Sequence, residues 1–291
     1  MSTDNRSVKH VFIPPDPHMV GDGFRVHSFF PGNPVMDKKR MSPFYLMDYN
    51  AKIDFSASDH QRGVGVHPHR GFETVTIAYH GRIAHHDSAG NSGVIGEGDV
   101  QWMTAASGLL HKEYHEESFS RDGGLFQMVQ LWVNLPAKDK MGTPKYQEIA
   151  NSSITRVPVE GGSIEIIAGE YQGAKGPAST FTPMDVMNLR LQAGSTLQLD
   201  LPATWNTGLL VVEGSVKVNG IDAPLDHFVL MDNDGSRFTV TATEDTLVLL
   251  LSGEPIDEPI AQYGPFLMNK WEELEVAIRD VSTGKFGVLE D

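Results

Sequence analysis

Hydrophobic and polar residues alternate in short runs along most of this chain. Each run is about as long as a β-strand and ends in Gly, Asn, Asp or Pro, residues that favour turns. The run from 125 to 136, "LFQMVQLWVNLP", alternates most regularly and predicts a long strand that ends at Pro136. Runs of this kind predict an all-β protein.

The alternation pauses once near the middle of the chain. Residues 137–149, "AKDKMGTPKYQEI", are polar and contain Gly and Pro, as expected of a connector. The β pattern then restarts with runs such as "SIEIIAGEY" and "HFVLMDNDG". We therefore predict two antiparallel β-barrel-like domains, the first over residues 1–145 and the second over residues 146–291.

One segment has the spacing of a helix instead. Trp271, Leu274, Ala277 and Ile278 recur at helical intervals, and Asn269 is a suitable N-cap. The spacing predicts a helix over about 269–282, at the end of the second domain.

Composition excludes several classes of function. The chain has 291 residues, a formal net charge of −15 and no cysteine. The acidic balance argues against direct nucleic-acid binding and against an anionic membrane surface, and the lack of cysteine excludes disulfides, thiol nucleophiles and Fe–S clusters. We expect a soluble, cytoplasmic protein, since no apolar run is long enough to span a membrane.

The histidines are unevenly distributed. Of the 12 histidines, only His227 lies after residue 115, so a multi-histidine site must belong to the first domain. His67 and His69 are two residues apart, and side chains two apart project from the same face of a strand. Pro68 between them lacks an amide hydrogen and fits an edge strand.

A second pair with the same spacing follows in "GLLHKEYHEE", where His111 and Glu113 are two residues apart. Two such pairs on neighbouring strands can converge on one point. Three neutral imidazoles and one carboxylate suit a borderline divalent metal such as Fe, Mn, Co, Ni, Cu or Zn. Four protein ligands leave positions open on a six-coordinate metal, where oxygen or a substrate can bind.

Other candidates carry weaker signals. Glu73 shares the parity of His67 if no bulge intervenes, and we interpret it as a hydrogen-bonding or structural residue, with a fifth-ligand role as the alternative. His115 shares the parity of His111, but we expect it at the surface or mouth. We interpret "HHDSAGNSG", with His85 and His86, as a turn without ligands. His227 is interpreted as a barrel or surface histidine.

The central motifs resemble a known family. "HPHRGFETVT", "HDSAGNSG", "GDVQWMTAASGLLHKE" and "QLWVNLP" closely resemble the pirin family of the cupin superfamily, and "YGPFLMN" before the helix with "GKFG" after it resembles the pirin C-terminus. The resemblance covers nearly the whole chain, with the motifs in the expected order. It departs at "MTAASG", where many pirins have glycine at the position of Ala106, and at the extra histidine, His115.

This resemblance implies a bicupin of two stacked jelly-roll barrels with one metal, usually iron, in the N-terminal barrel. The pirin ligands would correspond to His67, His69, His111 and Glu113. The glutamate of the general cupin motif matches Glu73, which is not usually a pirin ligand. The C-terminal barrel is expected to lack a metal site.

Two kinds of role follow from the resemblance. Some pirins are quercetin 2,3-dioxygenases, which cleave flavonols with O2, and here Glu113 would accept the proton of the flavonol 3-hydroxyl. Other pirins resemble non-catalytic, metal-dependent regulators that act through a protein partner. A cupin isomerase or sugar-binding protein is a third alternative, which the pirin-type ligand set disfavours.

Overall fold

The structure, a computed structural model, describes residues 4–34 and 36–290. The first strands along the chain are β1 (Val8–Phe12), β2 (His18–Val20), β3 (Phe24–Phe30), β4 (Phe44–Phe55), β5 (Gly63–His69), β6 (Phe72–His80), β7 (Ile83–Asp87), β8 (Ser92–Ile95), β9 (Val100–Thr104), β10 (Leu109–His115), β11 (Gly124–Asn134), β12 (Lys145–Ile149) and β13 (Thr155–Val159). A short helix, α1 (Glu117–Asp122), separates β10 from β11, and a 3-10 turn spans Asn151–Ser153.

The remaining strands are β14 (Gly162–Ala168), β15 (Glu170–Tyr171), β16 (Ala174–Lys175), β17 (Met184–Leu191), β18 (Thr196–Asp200), β19 (Asn206–Glu213), β20 (Val216–Val218), β21 (Ile221–Ala223), β22 (Phe228–Met231), β23 (Arg237–Ala242), β24 (Thr246–Gly253), β25 (Ala261–Tyr263) and β26 (Phe266–Met268). The C-terminal helix is α2 (Trp271–Ser282). The predicted all-β architecture with a C-terminal helix is confirmed. Neither helix in the described ranges is long and apolar enough to cross a membrane.

The chain forms two compact units. The N-terminal unit contains Asp16–Phe30, Phe44–Asn151 and Ile256–Asp291, and the C-terminal unit contains Met1–Pro15, Pro31–Pro43 and Ser152–Pro255. The first strand of the chain, β1, belongs to the C-terminal unit, where it pairs with β22. The last helix, α2, belongs to the N-terminal unit. Residue 145 as the boundary between the two cupin domains stays a prediction.

Each unit is built from a seven-stranded and a four-stranded antiparallel sheet. In the N-terminal unit their orders are β12-β9-β6-β11-β4-β3-β2 and β5-β10-β7-β8, and in the C-terminal unit they are β1-β22-β19-β24-β17-β14-β13 and β18-β23-β20-β21. Two sheets around one core form a jelly roll rather than a single closed barrel.

The two interiors differ in polarity. In the C-terminal unit, the buried residues of the four-stranded sheet are all apolar, including Leu197, Val218 and Phe238. The four-stranded sheet of the N-terminal unit instead buries polar side chains, among them His85, His111 and Glu113. Buried polar groups are costly unless they are paired or bound, which marks this sheet as the place to look for a site.

The last helix begins later than its predicted start. Its N-cap is Lys270 rather than Asn269. The Glu273 carboxylate accepts hydrogen bonds from the backbone N–H groups of both Asn269 (2.9 Å) and Lys270 (3.0 Å), which holds the chain extended through these residues. The Asn269 side chain donates instead to the carbonyl oxygen of Pro259 and to the Glu258 carboxylate.

Candidate metal centre

Strands β5 and β10 bring the two predicted pairs together. They pair antiparallel, with His67 opposite His111 and His69 opposite Leu109. Strand β5 is an edge strand, as expected from Pro68. Burial alternates along β10, so that His111 and Glu113 both project to the interior. The predicted parity of these residues is confirmed.

Three imidazoles converge on one point. The ligand nitrogens of His67, His69 and His111 lie within 4.8 Å of one another. Their ring centroids are 4.2 to 4.8 Å apart. His69 and His111 are buried, while His67 is half-buried and is the member that solvent reaches.

Backbone carbonyls determine which nitrogen of two of these rings carries the proton. His67 Nδ1 lies 2.8 Å from the carbonyl oxygen of Gly65, and His69 Nδ1 lies 3.3 Å from that of Pro265. A carbonyl oxygen only accepts, so each Nδ1 carries the hydrogen and each Nε2 keeps its lone pair. Metal-binding histidines are commonly oriented in this way.

Burial keeps the two inner rings uncharged. It lowers the pKa of His69 and of His111 well below the ordinary histidine value, and neighbouring histidines lower them further. A neutral imidazole is the form that binds a metal. His111 Nε2 is buried, and it has no hydrogen-bond partner among the described residues. This atom has the environment expected of a metal ligand.

The Glu113 carboxylate lies beside this cluster. Its Oε2 accepts a hydrogen bond from Gln130 (2.8 Å), and its Oε1 accepts from Thr76 and Gln101 (both 3.3 Å). A register shift between His111 and Glu113 places Glu113 opposite Val64 on β5. Glu113 shares a second 4.8 Å group with His111 and with His85 of β7. That group includes neither His67 nor His69, so the structure brings Glu113 together with His111 but does not place all four predicted ligands in one 4.8 Å group. Imidazole and carboxylate donors of this kind fit a borderline divalent metal.

Glu73 lies on β6 and not on β5, so the prediction that it shares a strand face with His67 is wrong. Strand β5 ends at His69, and Gly71, with φ of +90°, turns the chain into β6 in the other sheet. Glu73 Oε1 accepts a hydrogen bond from Thr104 (2.7 Å). Burial raises the pKa of Glu73 to about 7.

His115 is not at the surface, contrary to expectation. Its ring is fully buried, and Nε2 contacts the carbonyl oxygen of Gly23 at 2.8 Å. Four phenylalanines surround it, with ring centroids between 4.7 and 5.8 Å away: Phe24, Phe55, Phe119 and Phe126. Burial lowers the pKa of His115 to about 4. It is a core histidine on the same strand face as His111.

His85 is the residue that the sequence interpretation missed. It lies on β7 rather than in a turn, and it is fully buried opposite Glu113. His86 points the other way and contacts the Tyr114 hydroxyl. Burial does not alternate at the start of β7, where Ile83, Ala84 and His85 are all buried, so no strand periodicity marked His85 in the sequence. His227, in the C-terminal unit, contacts the carbonyl oxygen of Leu225.

Two family models match this sequence. One, described as Pirin, covers residues 23–133, and the other, the pirin C-terminal cupin domain, covers residues 186–287. The chain belongs to the pirin family. The predicted resemblance, and with it the assignment of two cupin domains, is confirmed. All the candidate ligands lie within the first matched segment.

Relatives in the pirin family carry names that bear on function. The chain is 49% identical, over 92% of its length and 94% of the relative's, to the Pseudomonas aeruginosa protein named "Putative quercetin 2,3-dioxygenase PA2418". It is 38% identical to a pirin-like protein of Solanum lycopersicum, covering 92% of this chain and 88% of that one. A crystal structure of quercetin 2,3-dioxygenase from Acinetobacter baumannii matches with a TM-score of 0.92 and 44% identity, covering 98% of this chain and 99% of the other.

Proposed function

We propose that this pirin is a metal-dependent dioxygenase that opens quercetin-type flavonols with O2. Fe(II) would be held by His67, His69, His111 and Glu113, and other divalent transition metals suit the same donor set. The observation that carries the proposal is the buried His111 Nε2, which lacks a partner beside two rings with available Nε2 lone pairs. The names of the bacterial relatives support the substrate class.

A bound divalent metal would act as a Lewis acid on a phenolic oxygen. The chain's own contribution is a base at a fixed position. Three hydrogen bonds from Thr76, Gln101 and Gln130 hold the Glu113 carboxylate, and as a carboxylate it can accept the proton of the flavonol 3-hydroxyl. These three side chains are uncharged, so they orient the Glu113 carboxylate without neutralising its negative charge.

Aromatic side chains form an apolar wall on one side of the cluster. Phe72 and Trp132 stack with centroids 4.2 Å apart, and each contacts the His69 ring edge-on. Trp132 and His67 are both half-buried, whereas the other members are buried. A flat aromatic substrate would therefore approach past His67 and lie against this wall.

The test uses metal-depleted protein loaded separately with Fe(II), Mn(II), Co(II), Ni(II), Cu(II) and Zn(II). An oxygen electrode and the quercetin absorbance band are read together. Activity with at least one metal is expected, with a loss of at least about 100-fold in Glu113→Gln and wild-type rates in His227→Ala. The proposal fails if quercetin and O2 are unchanged with every metal.

The other predictions from the sequence stay predictions. These are a metal-dependent regulatory role through a protein partner and a cytoplasmic location. A regulator would bind metal at the same residues without consuming O2, so the same measurement separates it from the enzyme.

A further inference from the structure

Three buried side chains form a chain of contacts behind the candidate centre. Asp87 Oδ2 lies 3.4 Å from His85 Nε2, and His85 Nδ1 lies 3.4 Å from His111 Nδ1. The side chains of His85 and Asp87 are completely inaccessible to solvent. His111 therefore differs from His67 and His69: another imidazole, instead of a carbonyl oxygen, faces its Nδ1.

An imidazole can either donate or accept, so a further group must fix the direction of the contact. An ionised carboxylate only accepts, which requires His85 to carry its hydrogen on Nε2. A neutral His85 ring has one hydrogen, so with that hydrogen on Nε2 its Nδ1 is the acceptor and His111 Nδ1 donates to it. The result is an available lone pair on His111 Nε2, the atom that has no partner.

Asp87 itself is firmly held in its accepting role. Its Oδ1 accepts hydrogen bonds from the backbone N–H groups of Ala89 (2.9 Å) and Asn91 (3.0 Å), and the Asn91 side chain donates to both oxygens. Tyr146 stacks on the His85 ring with centroids 5.1 Å apart and planes 17° apart. The loop fixes the carboxylate, and the tyrosine fixes the plane of the ring.

We infer that Asp87 and His85 are positioning residues that set the tautomer of His111 across two successive hydrogen bonds. The inference rests on the proposed metal centre only in its last step, the binding of metal at His111 Nε2. The tautomers themselves are properties of the metal-free protein.

The geometry also allows a competing arrangement with a second metal ion. His85, His111 and Glu113 form a group of potential ligands within 4.8 Å, so His85 Nδ1 could itself bind a second metal ion. In that arrangement the lone pair of His85 Nδ1 binds the metal, so it cannot accept a hydrogen bond from His111 Nδ1. Two metal ions per chain would therefore contradict the inference, and one ion per chain is expected.

The direct test is NMR of metal-free, 15N-histidine-labelled protein, in which two-bond couplings identify the protonated ring nitrogen. His111 is expected as the Nδ1–H tautomer and His85 as the Nε2–H tautomer. A His111 ring protonated on Nε2 overturns the inference. This measurement requires neither metal nor activity, so a protein with the expected tautomers that binds no metal would refute the proposed function alone.

The second test is Asp87→Asn, titrated with Co(II) against a chromophoric chelator. The amide oxygen can still accept from the groups that contact Oδ1, whereas an NH2 group in place of Oδ2 gives up the hydrogen bond from the Asn91 side chain. That NH2 group presents an N–H to His85, which reverses both hydrogen bonds and protonates His111 Nε2. Co(II) affinity is expected to fall about 10- to 100-fold. Unchanged affinity in a folded variant contradicts the inference.

Two further variants separate positioning from general damage. Asp99→Asn is the matched control, because Asp99 holds its turn through the backbone N–H groups of Gly96 (2.9 Å) and Asn151 (2.8 Å), and it should keep wild-type affinity. His85→Phe preserves the stacking on Tyr146 but removes the acceptor, so it should weaken Co(II) binding. If Asp87 acts on His111 only through His85, the double variant Asp87→Asn/His85→Phe should bind Co(II) as weakly as His85→Phe alone. Additive losses of affinity would contradict the inference.

Discussion

His69 Nδ1 lies 3.3 Å from the carbonyl oxygen of Pro265, a residue 196 positions later in the chain. The C-terminal segment of the N-terminal unit thus orients one of the candidate ligands. It is anchored next to that ligand by Arg70, which donates to the Ser107 carbonyl (2.7 Å) and to the Asp280 carboxylate (2.9 Å). The Arg70 guanidinium also lies 4.7 Å from the centre of the Phe286 ring.

This anchoring predicts that Arg70→Met loosens the C-terminal segment and, through it, His69. Amide hydrogen exchange in residues 266–282 should become faster by about tenfold, because the charge-assisted hydrogen bond from Arg70 to Asp280 is lost. Metal should also dissociate faster than from wild-type protein. The control is Arg190→Met, which removes an Arg190–Glu165 ion pair of 3.0 Å in the other unit. Equal effects of the two changes would refute a specific role for Arg70.

Strand periodicity in the sequence predicted those parts of the candidate site that depend on which face of a strand a residue occupies. Alternation along β10 and the Pro68 edge signal placed His67, His69 and His111 on converging faces. Parity failed for Glu73, because it assumes one uninterrupted strand and the chain turns at Gly71.

The other errors concern contacts between distant parts of the chain. His115 was expected at the surface because polar residues follow it, but four phenylalanines from other segments enclose it. Which unit β1 and α2 belong to depends on tertiary packing, and local sequence patterns carry no information about it. His85 was assigned to a turn because the glycine-rich residues after Asp87 dominated the local signal.

Glu73 should make the protein less stable as the pH rises through the weakly acidic range. Its folded pKa of about 7 lies above the ordinary value of 4.5, so the folded state binds more protons between these values, and stability is lost as pH rises through that window. Glu73→Gln removes this penalty while its amide oxygen can still accept from Thr104. At pH 8 the variant should gain up to about 3 kcal/mol in the free energy of unfolding.

Urea denaturation at pH 4.5, 6 and 8 measures this effect. The difference between Glu73→Gln and wild type should grow with pH. Glu148→Gln, which changes an exposed glutamate on β12, two strands from β6 in the same sheet, serves as the control and should follow the wild-type curve. A pH-independent difference for Glu73→Gln would mean that the pKa of Glu73 is the same in the folded and the unfolded protein, and it would contradict the prediction.

Lys140 should be essential for stability although it lies in the predicted connector. Its buried ammonium donates to the Gly71 carbonyl (2.7 Å), the Leu267 carbonyl (2.8 Å) and the Asn134 side chain (2.6 Å). Lys140→Met leaves these three buried acceptors unpaired and should cost at least about 3 kcal/mol in the free energy of unfolding. Exposed Lys138→Met is the matched control, and near-equal midpoints in urea would contradict the prediction.

Burial also lowers the pKa of Lys140 to about 7, below the ordinary 10.5. Between these values the unfolded chain binds the additional proton, so this group makes the wild-type protein more stable as pH rises through that window. Lys140→Met should lack that contribution. Comparing the two proteins at pH 7 and pH 9 tests it, and parallel pH profiles would count against a perturbed Lys140.

His111 and His115 provide a matched pair for metal binding, since both are buried histidines on the same face of β10. His111→Ala removes the unpartnered Nε2 and should lower Co(II) affinity by at least about 100-fold. His115→Phe should keep wild-type affinity, because its ring contacts Gly23 and phenylalanines instead of His67 or His69.

Co(II) titration with chelator competition, together with the metal content of protein purified without added metal, distinguishes the two. Loss of binding in both variants would mean that the site folds only when both buried histidines of β10 are present. Loss in neither would place the metal elsewhere. Loss in His111→Ala alone is expected, because only that ring adjoins the imidazoles of β5, and strand parity by itself cannot distinguish the two histidines.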